Sequence, residues 1–131
     1  MSKSLLYATS ITSQTLAVND VISFGNIVRR YGCNCNLSGG NAVISGNGYY
    51  DIDTNFVFTA SAAGTATITL YVGGVAIPGA TASFTTVADS TYAVSIPAIV
   101  RETCCNNSTI TAVLSGVAGS MITSSIIVEK V

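Results

Sequence analysis

The stretch Tyr49-Tyr50-Asp51-Ile52-Asp53-Thr54-Asn55-Phe56-Val57-Phe58-Thr59 reads with a period of two. Its even positions are Tyr50, Ile52, Thr54, Phe56 and Phe58; its odd positions are Tyr49, Asp51, Asp53, Asn55, Val57 and Thr59. Successive side chains of a strand point to opposite faces, so this segment is a strand with one greasy and one polar side. The rhythm recurs downstream. Ala66, Ile68, Leu70 and Val72 alternate with Thr65, Thr67, Thr69 and Tyr71. Tyr92, Val94, Ile96, Ala98 and Val100 alternate with Ala93, Ser95, Pro97 and Ile99, and Ile110, Ala112 and Leu114 with Thr109, Thr111 and Val113. No segment carries a sustained helical period.

Turn residues separate these runs. Gly46-Asn47-Gly48 precedes the double-tyrosine strand, and Gly73-Gly74 reads as a hairpin tip. Pro78-Gly79 interrupts the return arm, which suggests an edge or a bulge. Gly39-Gly40, Asn106-Asn107 and Gly116-Val117-Ala118-Gly119 mark further loops. The segment Cys33-Asn34-Cys35-Asn36, running to Gly39-Gly40, is expected to be a long loop. Many short strands at this spacing in 131 residues specify an all-β sandwich or jelly roll, in one domain.

Composition limits what such a sandwich can do. The chain has 5 Lys+Arg and 6 Asp+Glu, where a chain of this length ordinarily carries about 33 charged residues. A folded monomer of 13.4 kDa exposes about 6,500 Å², so each charge would keep about 600 Å² wet. Thr, Ser, Asn and Gly must share that task, or sister molecules must cover part of the surface. The closing segment Ile126-Ile127-Val128 has apolar groups on both faces, which favours a second cover, and another copy of the chain is the economical one. A formal charge of −1 offers no basic field for nucleic acid. No apolar run approaches the roughly 18 residues of a membrane span, and the two-leucine start is too short for a signal h-region. Manufacture in a cytoplasm is expected.

The candidate sites are few. With no His in the chain, catalytic triads and His-metal sites are excluded. Asp51 and Asp53 sit at i, i+2 on one strand face; with Asn55 they could bind Ca²⁺ or serve acid–base chemistry, and a polar face shared between subunits is the simpler reading. Cys33, Cys35, Cys104 and Cys105 form two tight pairs that suit free thiols, disulfides between the pairs, or a metal site of unusual spacing. Arg29-Arg30 is the one local basic cluster. Tyr49, Tyr50, Tyr71 and Tyr92 could stack on sugars, although strand tyrosines more often pack at interfaces. No leader peptide is expected, so the sequons at Asn36, Asn106 and Asn107 are expected to be chance matches. Catalytic, cofactor and metal residues are expected to be absent.

Four segments resemble the trimeric jelly roll of the tumour-necrosis-factor/complement type, in the bacterial branch that ends the collagen-like glycoprotein of the spore exosporium. They are Asn19-Asp20-Val21-Ile22-Ser23-Phe24, the run Ala42 to Ile52, the hairpin Ile68 to Gly79, and Ser125 to Val131. They occur in the family's order across nearly the whole chain. No Gly-x-y stalk accompanies them, as in stand-alone domains of tailed-phage virions. The resemblance implies a ten-strand jelly roll that self-associates about a three-fold axis.

The resulting expectations are specific. Tyr50, Ile52, Phe56, Phe58, Ile68, Leu70, Val94 and Ile96 fill the sandwich core. Tyr49, Asp51, Asp53, Asn55, Val57, Ile99, Ile126 and Val128 meet neighbouring subunits. Residues 1–10 form an attachment arm or first strand and 11–131 the jelly roll; Met1–Tyr7, preceding the fold, could add a strand to a capsid sheet. The expected function is non-enzymatic: a trimer that decorates the outside of a tailed-phage particle, as a head-fibre-type protein. Its partners would be itself, the major capsid protein or another virion protein, and a host-surface glycan. A spore-surface protein and a sugar-binding module at a fibre tip are the alternatives.

Overall fold

The computed structural model describes residues 4–103 and 107–131. Cys104 and Cys105 fall outside the described residues. The described residues form twelve strands: β1 (Leu5–Ser10), β2 (Gln14–Leu16), β3 (Val21–Ile22), β4 (Asn26–Tyr31), β5 (Cys35–Ser38), β6 (Asn41–Ser45), β7 (Gly48–Ala60), β8 (Gly64–Val72), β9 (Val75–Thr86), β10 (Thr91–Glu102), β11 (Asn107–Ser115) and β12 (Gly119–Lys130). Only β2 and β3 are shorter than four residues. The first sheet runs β10-β7-β12-β1-β4 with β2 beside β12; the second runs β5-β6-β11-β8-β9 with β3 beside β11. All pairings are antiparallel.

The alternation of β7 decides the packing. Tyr50, Ile52, Phe56 and Phe58 turn inward and are fully buried, with Ile68 and Leu70 of β8 and Ile96 of β10. Val94 faces the same way but is half-buried, because β10 is an edge strand. Phe56 meets Phe24 at 5.9 Å between ring centroids, and Phe58 meets the edge of Phe84 at 6.2 Å. Each such side chain contributes about 1.5–3 kcal/mol by leaving water. Thr54, the polar residue in the inward series, donates from Oγ1 to the Ile96 carbonyl at 2.8 Å, so its burial leaves no orphan. Tyr50 donates from Oη to the carbonyls of Ser45 at 2.6 Å and Gly46 at 3.0 Å, pinning the corner that enters β7.

Gly73 (φ 58°) and Gly74 (φ 83°) close the β8–β9 hairpin, both left-handed as a type I′ turn requires. Pro78-Gly79 sits in β9, an edge strand, and the β8–β9 register slips between Thr69 and Tyr71. That is where a missing N–H costs least.

Three expectations need correction. Ile126 and Val128 are core residues and do not face outward; both are fully buried. Their register partners on β7 are Thr54 and Ile52, which point inward. Ile127, between them, is the outward residue, so β12 has one buried face like its neighbours. The segment Cys35–Ser38 is not loop; it is β5, paired with β6 across a hairpin whose tip is Gly39-Gly40. Finally, Leu5–Tyr7 does not precede the fold. It belongs to β1, held by β12 on one side and β4 on the other, with Leu6 fully buried. A strand with both edges paired has no free edge to lend a capsid sheet.

Candidate assembly face

Charge is distributed unequally between the two sheets. Strands β3, β5, β6, β8, β9 and β11 of the second sheet contain no Asp, Glu, Lys or Arg. Their outer face is kept wet by hydroxyls: Thr67 pairs with Ser83 and Thr69 with Thr81, each at 3.0 Å across β8 and β9. Every charged residue within a strand belongs to the first sheet: Arg29 and Arg30 on β4, Asp51 and Asp53 on β7, Arg101 and Glu102 on β10, Glu129 and Lys130 on β12.

Residues opposite one another in adjacent strands share a face, so the outer surface of the first sheet can be written as rows. One row runs Ile99–Asp51–Glu129–Leu5–Tyr31 from β10 to β4. The next runs Pro97–Asp53–Ile127–Tyr7–Arg29. A third runs Ser95–Asn55–Ser125–Thr9–Asn26, and Val57 lies beyond it between Ala93 and Thr123. Ser95 hydrogen-bonds Asn55 across the third row. At the other end Arg101 stacks over Tyr49, 5.8 Å from its centroid.

This surface is more apolar than a solvated sheet needs to be. Ile99 is 66 %, Tyr49 55 %, Tyr31 67 % and Ile127 37 % exposed. Carboxylates are set among them. Burial, then Asp53, then Glu129 push the Asp51 carboxyl above its ordinary pKa. A shallow depression beside Asp53 is lined by Asn55, Ser95 and Pro97 and does not include Asp51. Among the described residues no group of three His, Cys, Asp or Glu is arranged to hold a metal ion.

The structure therefore brings Tyr49, Asp51, Asp53, Asn55, Val57 and Ile99 onto one surface and sends Ile126 and Val128 elsewhere. Leu5, Tyr7, Tyr31 and Ile127 complete that surface and were not singled out by sequence reasoning. Alternation within Leu5–Ser10 was a usable signal, but adjacency to β12 is a matter of topology. The other tyrosines separate by role. Tyr50 is core, Tyr92 packs on Phe84 at 5.2 Å and accepts the Val87 N–H at 2.9 Å, and Tyr71 is half-buried on the second sheet. Arg30 donates from Nε to the Cys35 carbonyl at 2.7 Å, tying β4 to β5 at the open side of the sandwich. Among the described residues Cys33 and Cys35 are free thiols; Cys33 is exposed and Cys35 buried. Burial pushes the Cys35 thiol up to about 11, so it stays protonated and inert at neutral pH.

No protein-family model and no curated protein sequence matches the chain. Solved structures do. Murine APRIL superposes with a TM-score of 0.71 at 12 % identity, over 99 % of this chain and 100 % of that one. The Eiger TNF of S. frugiperda gives 0.65 at 10 % identity, over 98 % and 91 % of the two chains. The PRD1 vertex protein P5 gives 0.62 at 12 % identity, over 98 % and 96 %. The chain has the tumour-necrosis-factor-like jelly-roll fold.

Proposed function

We propose that this chain is a non-enzymatic structural protein that assembles as a homotrimer through the outer face of its first sheet and sits on the outside of a tailed-phage virion. The observation that carries the reading is that face, where Tyr31, Tyr49, Ile99 and Ile127 stay exposed beside carboxylates, whereas hydroxyl pairs line the β8–β9 part of the second sheet. Contiguous exposed apolar surface marks an interaction site. A stable interface needs about 800 Å² from each partner, which a five-strand face can supply. The likeness to a phage vertex protein supports a place on the particle, and the absence of His favours a structural over a catalytic role. Decoration that stabilises the particle, or a fibre-type attachment to a host surface, follows from that position.

Native mass spectrometry at micromolar concentration tests the assembly: three copies are expected, and a stable folded monomer overturns it. An antibody to the chain tests the location. It should label the outside of intact particles, and purified particles without the chain would refute the virion reading.

A further inference from the structure

The outer surface of the first sheet ends in a row of hydroxyls. Past Val57, Thr91 of β10 stands opposite Thr59 of β7, Thr59 opposite Ser120 of β12, and Ser120 opposite Thr15 of β2. Register partners share a face, so the hydroxyls line up across adjacent strands at about 4.8 Å per strand. Thr59 and Thr91 hydrogen-bond each other at 2.9 Å. Thr59, Ser120 and Thr15 lie in a depression of about 330 Å³, at the end of the sandwich opposite Ser4 and Lys130.

The β9–β10 turn, which carries Asp89, walls this depression, and Leu16, Ala60 and Ala118 supply its apolar part. The turn is held in place: the Asp89 N–H donates to the Ala60 carbonyl at 2.8 Å, and the Ala60 N–H to the Ser90 carbonyl at 3.0 Å. Asp89 has φ 65°, a left-handed conformation that Asp and Asn adopt more readily than most residues. Ser61, also in the lining, donates to the Ala118 carbonyl at 2.7 Å and keeps its oxygen free to accept. Among the described residues, the Asp89 carboxylate and the hydroxyls of Thr15 and Ser120 have no hydrogen-bond partner.

This lining selects a ligand by chemistry. The volume is at the small end of small-molecule sites, which run to about 300–1,000 Å³, so it takes a single ring. Its one charge is a carboxylate with no cation beside it, which repels phosphates and acidic sugars. A calcium ion needs about six to eight oxygens, and one carboxylate in an open depression does not supply them. A carboxylate does accept two O–H donors at once, which is what a vicinal diol offers. Thr and Ser hydroxyls both donate and accept, and their spacing from strand to strand is close to that between alternate hydroxyls of a pyranose ring.

We infer that this depression is a saccharide site for one neutral hexopyranose residue of a glycan, with Asp89 accepting from a vicinal diol, Thr59, Ser120 and Thr15 meeting the hydroxyls along the ring, and Leu16 and Ala60 against its C–H face. The inference rests on the surface-attachment part of the reading above and names its ligand class. The site belongs to a single chain. Assembly adds only valency, which strengthens binding to a surface by about 10²–10⁴.

Titration tests it. Amide chemical shifts of the whole chain are followed as methyl glucoside, galactoside or mannoside is added. At least one of these should move the amides of Thr15, Thr59, Asp89 and Ser120, with an affinity of about 1 mM for so small a ligand. Asp89→Asn keeps a residue suited to the left-handed turn and removes the charge; binding should weaken about tenfold at an unchanged melting temperature. Thr59→Val, which keeps the shape and removes the hydroxyl, should weaken it as well. Glucuronate and sialic acid should bind less tightly than the neutral sugars. The inference fails if no neutral sugar moves those amides, if the acidic sugars bind better, or if both variants bind as the wild type does. Native mass spectrometry reads copy number separately. A trimer that binds no sugar leaves the assembly reading standing, and a monomer that binds one sinks that reading and leaves the site.

Discussion

Asp51 on β7 and Glu129 on β12 are register partners, so two carboxylates face each other across adjacent strands on the outer surface of the first sheet. Like charges placed directly opposite cost about 0.2–1 kcal/mol, and natural sheets avoid them unless something else compensates. Asp53 lies one row away on the same face, Ile99 flanks Asp51 on β10, and Arg101 stacks over Tyr49.

Fold stability should carry a trace of Asp51. Its carboxyl is held above the usual carboxylate range in the folded chain, by burial first and by Asp53 and Glu129 after it. The folded state therefore favours the protonated form, so this contribution is fully present below the unfolded pKa and is lost as pH rises through the folded one. Urea unfolding as a function of pH should show Asp51→Asn flattening that part of the profile.

Core and face should respond differently to truncation. Phe56→Ala removes a fully buried ring against Phe24 and should cost about 3–5 kcal/mol in urea unfolding. Val57→Ala, one residue along and on the outer face, should leave the fold nearly as stable. Equal losses at the two positions would contradict the register of β7.

Tyr50→Phe isolates one polar corner. The ring stays buried while the hydrogen bonds to the Ser45 and Gly46 carbonyls are lost. The Ser45 carbonyl keeps the Asn34 amide donor at 2.7 Å. A loss of about 1–1.5 kcal/mol is expected, read as a lower melting temperature with unchanged assembly.

Gly116 and Gly74 separate backbone strain from crowding. Both have φ in the left-handed region, at 90° and 83°. A Cβ at Gly116 would strike the Thr65 carbonyl, whereas at Gly74 nothing lies within 4 Å. Gly74→Ala should cost about 1 kcal/mol and Gly116→Ala clearly more, because the β8–β11 pair must open to admit it.

Thiol labelling should discriminate within two residues. At pH 8, iodoacetamide should modify Cys33 on the native protein and spare Cys35, whose thiol is buried and titrates near 11. Peptide mapping that finds both modified without denaturant would show that β5 opens readily.

The alternation Tyr49 to Thr59 was legible because a strand has an invariant period. Once Phe56 and Phe58 are placed inside, Asp51 and Asp53 must be outside. The same rule named Ile68, Leu70 and Ile96 as core and the Gly73-Gly74 tip as a turn. It failed at the last strand for an equally physical reason. In Ile126-Ile127-Val128 every residue is apolar, so hydrophobicity does not say which parity points inward. The register against β7 does, and the pairing slips between Met121 and Thr123, which resets the parity for the rest of the strand.

The sequence by itself determined that this chain is a β-sandwich with a scarcity of charge, because period and composition are properties of the chain alone. Only the tertiary structure decided where that charge is used. Strands distant in sequence, β4, β7 and β12, become neighbours or share one sheet, and the strands of the second sheet are left without a charged residue. Whether Arg29 and Asp53 stand on one face or opposite faces depends on which strands pair and in what register, and that is fixed by burying Leu6, Ile52 and Val128 together, a contact among parts of the chain that no local pattern connects.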